Sequence, residues 1–527
     1  ERYCKECING DKYTDRNGVQ IMQRGRTYNV IRNISSGLVY KLISIFLPFI
    51  LRTVMIHYMG IQYAGINTLF SSILQVLSMA ELGFGSALTF SLYKPIVDND
   101  EEKICKLLNL YKIIYRRLGC IILGIGIILI PFLQYLIKGS YPNDVNIYVL
   151  YIIYLFNTSI SYFLFAYKQS LLNANQRNDI VNTVGMITYA ISYTVQILAI
   201  LITKNYYVYI IFTPICTVVN NILVAFCAKR AYPNLSCKGD ISKEEKKEIY
   251  SKVKALAGHK IGGVVINSLD SVVVSAFLGL STVAIYGNYY YILSAINGII
   301  DVGYNAILAS VGNSIVMERE EKVYTIFNKL NFIMSWVICF CCIGLICLYQ
   351  PFMTIWVGKD NLFPTSTMII IVIYFYSQKS RLIGLNFKDA AGLWKLDFWK
   401  PYVGLVVNLV VNIILVNIIG VNGVYISTIL TMICVYFPWE TWALFTGIFK
   451  KSSRHYVIQY LKYTVETIIA SGISFYITIL INVNGIPGLI LKAVCGVFIG
   501  NLIYILLNLK NPELKNMIID IKKKMSH

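Results

Sequence analysis

Charge is scarce in this chain. Only 14% of its 527 residues are Asp, Glu, Lys or Arg, against about 25% in an ordinary soluble domain, which excludes a soluble globular protein. Histidine is rarer still, with 4 in the whole chain. The Cys4-x-x-Cys7 pair has no second Cys pair and no nearby His to complete a tetrahedral zinc set, so no metal site is expected there. The glycine-rich phosphate loop, the zinc-type His motif and the nucleophile elbow are all missing, and with them the usual signs of an enzyme. No cleavable signal peptide is visible in the polar first 33 residues, where Met22 is a plausible start.

What the chain has in abundance is apolar sequence, 56% hydrophobic with a mean hydropathy of +0.60. Six apolar runs fall near residues 35–59, 64–92, 118–136, 146–167, 180–202 and 207–228. Six more follow near 256–278, 283–309, 332–348, 363–383, 402–419 and 424–445, and two last ones near 463–481 and 487–507. Each is close to the roughly 20 residues that cross a bilayer, so the expectation is an all-α polytopic membrane protein of about 14 spans. The tenth run is the weakest, with Lys379 and Arg381 near its end. The 13 cysteines lie mostly inside such runs, as at Cys339, Cys341, Cys342 and Cys347, and read as small packing residues.

The excess of Lys and Arg, 47 against 27 acids, is explained by where it falls. With both termini inside, the inner segments hold 41 of the 47, the outer loops only Lys138, Lys204 and Lys359, and the spans Lys41, Arg52 and Lys492. That is a strong positive-inside asymmetry; it predicts cytoplasmic termini and contact with anionic lipid, and leaves no need for nucleic acid. Ser242 with Glu245 predicts a capping box opening a short charged helix. Asn511 with Pro512 predicts the start of a tail helix.

The first twelve runs repeat at an offset of 219 to 220 residues: Lys41 matches Lys260, Gly60 matches Gly279, Glu81-Leu-Gly83 matches Asp301-Val-Gly303, and Glu101-Glu-Lys103 matches Glu320-Glu-Lys322. Six helices per half makes the repeats parallel, two lobes around a central cavity, with the last two spans outside the repeat. The expected organisation is an N-terminal tail over 1–33, an N-lobe over 34–228, an inner linker over 229–254, a C-lobe over 255–447, two further spans within 448–508 and a basic cytoplasmic tail over 509–527.

An ionisable group at mid-membrane costs at least about 2.5 kcal/mol, so each one asks for a reason. Lys41 and Arg52 lie three helical turns apart on one face of the first span and form a basic stripe. Lys260 and Asp270 occupy the counterpart seventh span, and Glu81 and Asp301 the second and eighth. A basic stripe suits phosphate or pyrophosphate, because the Arg fork binds its oxygens in pairs and Lys adds point charge; Arg52, Lys41 and Lys260 are therefore the candidate substrate-binding residues. Glu81, Asp270 and Asp301 are candidate cavity or coupling carboxylates, which would respond to a proton or sodium gradient, and no other cofactor is expected. The competing structural reading has both lysines snorkelling and Arg52 pairing with Glu81 to join helices. Gly83 and Gly85 read as close-packing or hinge positions.

Leu47-Pro-Phe-Ile-Leu-Arg-Thr53, Gly65-Ile-Asn-Thr-Leu-Phe70, Glu81-Leu-Gly-Phe-Gly85, Leu92-Tyr-Lys-Pro95, Phe387-Lys-Asp-Ala-Ala-Gly392, Asn408 and Gly420-Val-Asn-Gly423 resemble bacterial polysaccharide-transport flippases, within the multidrug/oligosaccharidyl-lipid/polysaccharide exporter (MOP) superfamily. The resemblance runs over nearly the whole chain from about Met22. It implies a two-lobed fold in the bacterial cytoplasmic membrane and movement of undecaprenyl-pyrophosphate-linked oligosaccharide from inner to outer leaflet for surface polysaccharide synthesis. It implies as partners membrane lipids, the lipid-linked substrate, and the polymerase and glycosyltransferases of the same pathway. Two rival readings are an ion-coupled antiporter of cationic drugs with the same fold, which would not want Arg52 and Lys41, and a polytopic glycosyltransferase or polymerase, whose outer loops would have to offer more acids than Asp144 and Asp360.

Overall fold

The computed structural model describes residues 12–14, 20–22, 26–78 and 84–525; within them the side chains of 26–35, 254–267, 521–525 and scattered single positions are outside the description. Apart from a pair of three-residue antiparallel strands, Lys12–Thr14 and Gln20–Met22, the fold is all-helical. Ten helices among the described residues are long and apolar enough to cross a membrane, or eleven if the bent pair Ile147–Phe163 and Tyr167–Ala174 is one span. The protein is therefore a multi-pass membrane protein.

Two compact units divide the chain, the first comprising Glu1–Tyr135 and Ser140–Ile261, the second Leu136–Gly139 and Gly262–His527. In the first unit α1 (Arg26–Tyr58) packs along α7 (Asn178–Thr203), which packs on α8 (Tyr206–Ala231). Between them and α4 (Glu101–Leu129) stands α5 (Ile147–Phe163), with α2 (Ile61–Leu77) also against it. The shorter α3 (Phe84–Val97) packs on α6 (Ala166–Ala174).

The helix α9 (Lys243–Leu278) passes from the first unit into the second. Ser242 and Glu245 do form the expected capping box, with the Glu245 backbone N–H donating to Ser242 Oγ at 3.1 Å and the Ser242 N–H to Glu245 Oε2 at 3.3 Å. The helix they open is not a short separate one, however. Nothing between Lys243 and Leu278 removes a backbone donor, since the stretch contains no proline, so the charged segment and the seventh apolar run form one helix.

In the second unit α10 (Leu280–Met317) packs on α13 (Leu382–Ala390). The central α11 (Glu320–Val357) carries α12 (Thr365–Lys379) and the closing hairpin of α16 (Arg454–Ile479) and α17 (Gly485–Leu507). Beside α12, α14 (Lys400–Ile419) lies along α15 (Val421–Phe449), which contains two π-helical turns, Met432–Tyr436 and Phe445–Phe449. The tail helix α18 (Pro512–Met525) opens as its sequence predicts, with Asn511 Oδ1 accepting from the Glu513 N–H at 3.0 Å.

The repeat is visible in the order of elements. Each half has a long first helix, a glycine corner, and a nine-residue helix after its fourth span (α6 and α13). The corner is the same in both: Gly60 (φ +110°) precedes α2 and Gly279 (φ +90°) precedes α10, a backbone region that L side chains rarely adopt. At Gly279 a Cβ would also sit 2.9 Å from the Lys138 carbonyl oxygen.

Candidate functional site

In the first unit the sequence places Arg52 about six residues, or 9 Å, from the end of α1. Leu51 and Met55 beside it are buried and fix the helix face. The guanidinium, half-buried, reaches α2, where Nη1 and Nη2 each donate to Thr68 Oγ1 at 3.2 Å. The Thr68 hydroxyl passes its own proton to the Ala64 carbonyl at 2.8 Å. One turn of α2 away, Asn67 Nδ2 donates to the Tyr209 hydroxyl of α8 at 2.8 Å. The hydroxyls of Tyr154 (α5) and Tyr206 (α8) bond each other at 2.9 Å. Arg52 lies within electrostatic reach of all three buried phenols.

The second unit carries a matching group around the opposite charge. Asp270 on α9 is fully buried. Its Oδ1 accepts from Asn412 Nδ2 (α14) at 2.7 Å and its Oδ2 from Thr428 Oγ1 (α15) at 3.3 Å. Asn408, one turn before Asn412, donates to Thr428 Oγ1 at 2.9 Å. Three tyrosines enclose this group: Tyr286 (α10) stacks on Tyr425 (α15) at 5.2 Å, Tyr374 (α12) meets Tyr425 edge-on at 5.6 Å, and all three feel the Asp270 charge. Tyr374 is Tyr154 shifted by 220 residues and Ser271, next to Asp270, is Arg52 shifted by 219. Each half thus places one charge on its first helix in a tyrosine-lined setting, positive in one and negative in the other.

The buried oxygens around Asp270 suit a cation. Asn408 Oδ1, Asn412 Oδ1, Tyr286 Oη and Tyr425 Oη have no hydrogen-bond partner, and buried unpaired carbonyl oxygens beside a carboxylate are the ligands that hard cations take. A proton on the carboxylate fits the same place.

The remaining sequence candidates are distributed differently. Lys41 is exposed on α1, its carbonyl accepting from Ser44 Oγ at 2.8 Å. Asp301 is exposed on α10 and pairs with Lys379 Nζ at 3.2 Å. Gly85 lies in α3, where its carbonyl accepts from Thr89 Oγ1 at 2.9 Å. Glu81 and Gly83 lie outside the described residues, and the Lys260 side chain outside the described side chains.

Sequence reasoning missed the densest charge cluster, a buried ladder in the second unit. Arg381 (2.5 Å) and Lys400 (2.8 Å) both reach Glu440 Oε1; Lys400 also pairs with Asp397 at 2.7 Å, and Lys388 bridges Asp397 and Asp389 at 2.8 Å each. Tyr304 of α10 donates to Asp389 at 3.2 Å. Burial alone would push the Asp397 carboxyl up, but Lys400 and Lys388 beside it hold it below the ordinary carboxylate range. Lys379 and Arg381, which weakened the tenth run, both have acids waiting for them. The available signal was a set of acids, Asp389, Asp397 and Glu440, close to apolar runs otherwise rich in bases.

Among solved structures, an inward-closed form of the lipid II flippase MurJ superposes with a TM-score of 0.61, at 15% identity over 92% of this chain and 99% of that one. The fold is that of the MOP-superfamily transporters. An inward-facing multidrug-resistance MATE transporter of the same superfamily gives 0.60 at 14% identity, over 80% of this chain and 99% of its own. A MOP-superfamily transporter from Pyrococcus furiosus, described as having a binding pocket of reversed polarity, gives 0.53 at 15% identity, over 80% of this chain and 96% of its own. No family model and no curated protein matches the chain. At these identities the MOP-superfamily likeness fixes the architecture and leaves the cargo to be argued from the chain's own residues.

Proposed function

We propose that the protein is a flippase that moves an undecaprenyl-pyrophosphate-linked oligosaccharide from the inner to the outer leaflet of the bacterial cytoplasmic membrane, with both termini on the cytoplasmic side. The observation that carries this reading is Arg52, a guanidinium set among Thr68, Asn67 and tyrosine hydroxyls in a membrane-spanning unit. An arginine fork matches pyrophosphate oxygens, and the surrounding hydroxyls and rings suit sugar. A cationic drug would be repelled there. The coverage figures lend further support: the lipid II flippase matches about 60 residues more of this chain than the MATE transporter does, 92% against 80%, and the α16–α17 hairpin with its flanking turns is of that size.

In this reading the cargo's charged head group enters near Arg52 while the polyprenyl tail stays in lipid, so sugars and pyrophosphate avoid the hydrocarbon core. Exposed Lys41 assists entry. Direction comes from an ion gradient acting on Asp270, where Na+ or H+ exchanges between Asn408, Asn412 and Thr428; a cation stabilises the state that encloses it by its differential affinity. The polymerase and glycosyltransferases of the same pathway supply and consume the cargo.

The deciding experiment depletes the protein and measures lipid-linked oligosaccharide retained on the inner leaflet, with wild type and Arg52→Ala as complementing genes. Accumulation reversed only by wild type supports the flippase. No accumulation on depletion, or full reversal by Arg52→Ala, refutes it. Asp270 favours one other reading, a cation-coupled drug antiporter of the same fold. Drug sensitivity without lipid accumulation on depletion would establish that reading instead.

A further inference from the structure

The turn between α15 and α16 borders a cavity of about 800 Å3 that belongs to neither charged group described above. One end is basic and hydroxylic, lined by Lys450, Lys451, Ser452 and Ser453; the rest is walled by aromatic and aliphatic side chains, chiefly Phe437, Trp442 and Phe445 of α15 and Val457 of α16. From Phe437 to the Phe449 end of α15 is twelve residues, about 18 Å of helix. The wall therefore runs from the mouth of the span well into its apolar length.

Two features keep the basic end in place. Lys450 stands at φ +47°, which ends the helix and turns the chain sharply into α16. Lys451 Nζ lies 5.4 Å from the Tyr324 ring centroid on α11, which holds the ammonium at the rim. The last turn of α15, Phe445–Phe449, is π-helical, a form that widens the helix just where Phe445 and Thr446 line the cavity. Trp442 is half exposed within the wall, the placement of an aromatic ring at the level of lipid head groups.

A cavity with two ammonium groups and two hydroxyls at one end and an apolar slot of about 18 Å behind them has the shape and polarity of a single amphiphile. We infer that it binds an anionic phospholipid, with the phosphate between Lys450, Lys451 and the Ser452–Ser453 turn and an acyl chain along Phe437, Trp442 and Phe445. The apolar slot is the reason to favour a lipid over free phosphate. Such a lipid, wedged between α15 and α16, fastens the closing hairpin to the rest of the second unit independently of which cargo is carried.

The test uses the full chain, delipidated in detergent and titrated with phosphatidylglycerol, phosphatidylcholine or inorganic phosphate, with bound lipid read by native mass spectrometry and thermal stability read in parallel. The probe variant is Lys450→Asn with Lys451→Gln, because Asn tolerates the left-handed backbone at 450. At roughly 1 kcal/mol per lysine near an anionic surface, the double variant should lose about 30-fold in phosphatidylglycerol affinity. Phosphatidylcholine should bind weakly to both proteins, and inorganic phosphate should neither stabilise the wild type nor displace the lipid. Equal phosphatidylglycerol binding by variant and wild type would overturn the site. Displacement by inorganic phosphate would show a phosphate site without a lipid. Trp442→Ser serves as a second probe, since it leaves both lysines in place: it should weaken phosphatidylglycerol while leaving phosphate unaffected, and unchanged lipid binding would overturn the acyl slot.

Discussion

Replacing Glu440 tests whether the buried ladder holds the second unit together. The carboxylate is 4% exposed and its Oε1 is shared by Arg381 and Lys400. Lys400 keeps a second acid, Asp397 at 2.7 Å, whereas Arg381 has Glu440 as its only ion pair within the described network. Glu440→Leu, nearly volume-neutral, therefore strands a buried guanidinium, which costs about 3–5 kcal/mol. Part of the loss is softened by the Tyr436 ring, 5.2 Å from the Arg381 guanidinium carbon, a contact worth about 0.5–2 kcal/mol.

The decisive comparison is the double variant Glu440→Leu with Arg381→Met. It removes one charge of each sign and leaves Lys379, Lys388 and Lys400 facing Asp301, Asp389 and Asp397. Replacing a whole buried pair with apolar groups is often neutral or stabilising by about 1–4 kcal/mol, so the double variant should recover most or all of what the single one lost. The assay is unfolding in mixed micelles followed by tryptophan fluorescence. A Glu440→Leu protein as stable as wild type would refute the reasoning, as would a double variant no better than the single.

Other outcomes follow from the same geometry. Asp270→Asn keeps the size of the side chain and removes its charge and proton; transport in reconstituted vesicles should lose its dependence on the Na+ or H+ gradient, and retained dependence would place coupling elsewhere. Arg52→Lys keeps the charge but loses the fork on Thr68, so export should fall about tenfold or more, the loss of about 1.5–3 kcal/mol expected for a charged hydrogen bond, with membrane insertion normal on blots. Lys41→Ala, at an exposed position, should reduce export severalfold at most. Because Asp397 is held below its ordinary range by Lys400 and Lys388, its contribution is present above about pH 4 and lost as pH falls through the depressed value; Asp397→Asn should be less stable at neutral pH and lose less on acidification, as read by the same unfolding assay.

The helices and the repeat were legible because hydropathy and spacing are local properties. The capping box at Ser242 and the start of α18 at Asn511 needed only residues within four positions of each other. The glycine corners at Gly60 and Gly279 could be matched by offset, though their positive φ could not be read from the sequence. Partnerships were another matter. Asp301 stood out as a charge in an apolar run, but its pairing with Lys379 depends on how α10 meets α12, 78 residues away. Glu440 and Asp397 drew no attention because an acid near a helix end needs no special explanation, and only packing reveals that both are buried. Asn408 and Asn412 lie one turn apart on an otherwise apolar helix, a signal that was present but carried no meaning until Asp270 was seen facing them.

The opposite charges of the two halves bear on the proposed mechanism. A duplicated helix pattern brings the first helix of each half against a tyrosine from the fourth span, Tyr154 in one and Tyr374 in the other. Had both halves kept the same sign, a pyrophosphate group and a coupling cation could not each find a favourable place. With Arg52 in the first half and Asp270 in the second, the anion and the cation bind in separate units, and neither screens the other's site. Inverting the Arg52 charge alone, as Arg52→Glu, would give two acidic sites. That variant should therefore lose anionic cargo while keeping cation binding at Asp270, measurable as unaltered Na+-dependent thermal stabilisation of the purified protein. Loss of both together would show that the two sites are not independent, and the separation proposed for them would be wrong.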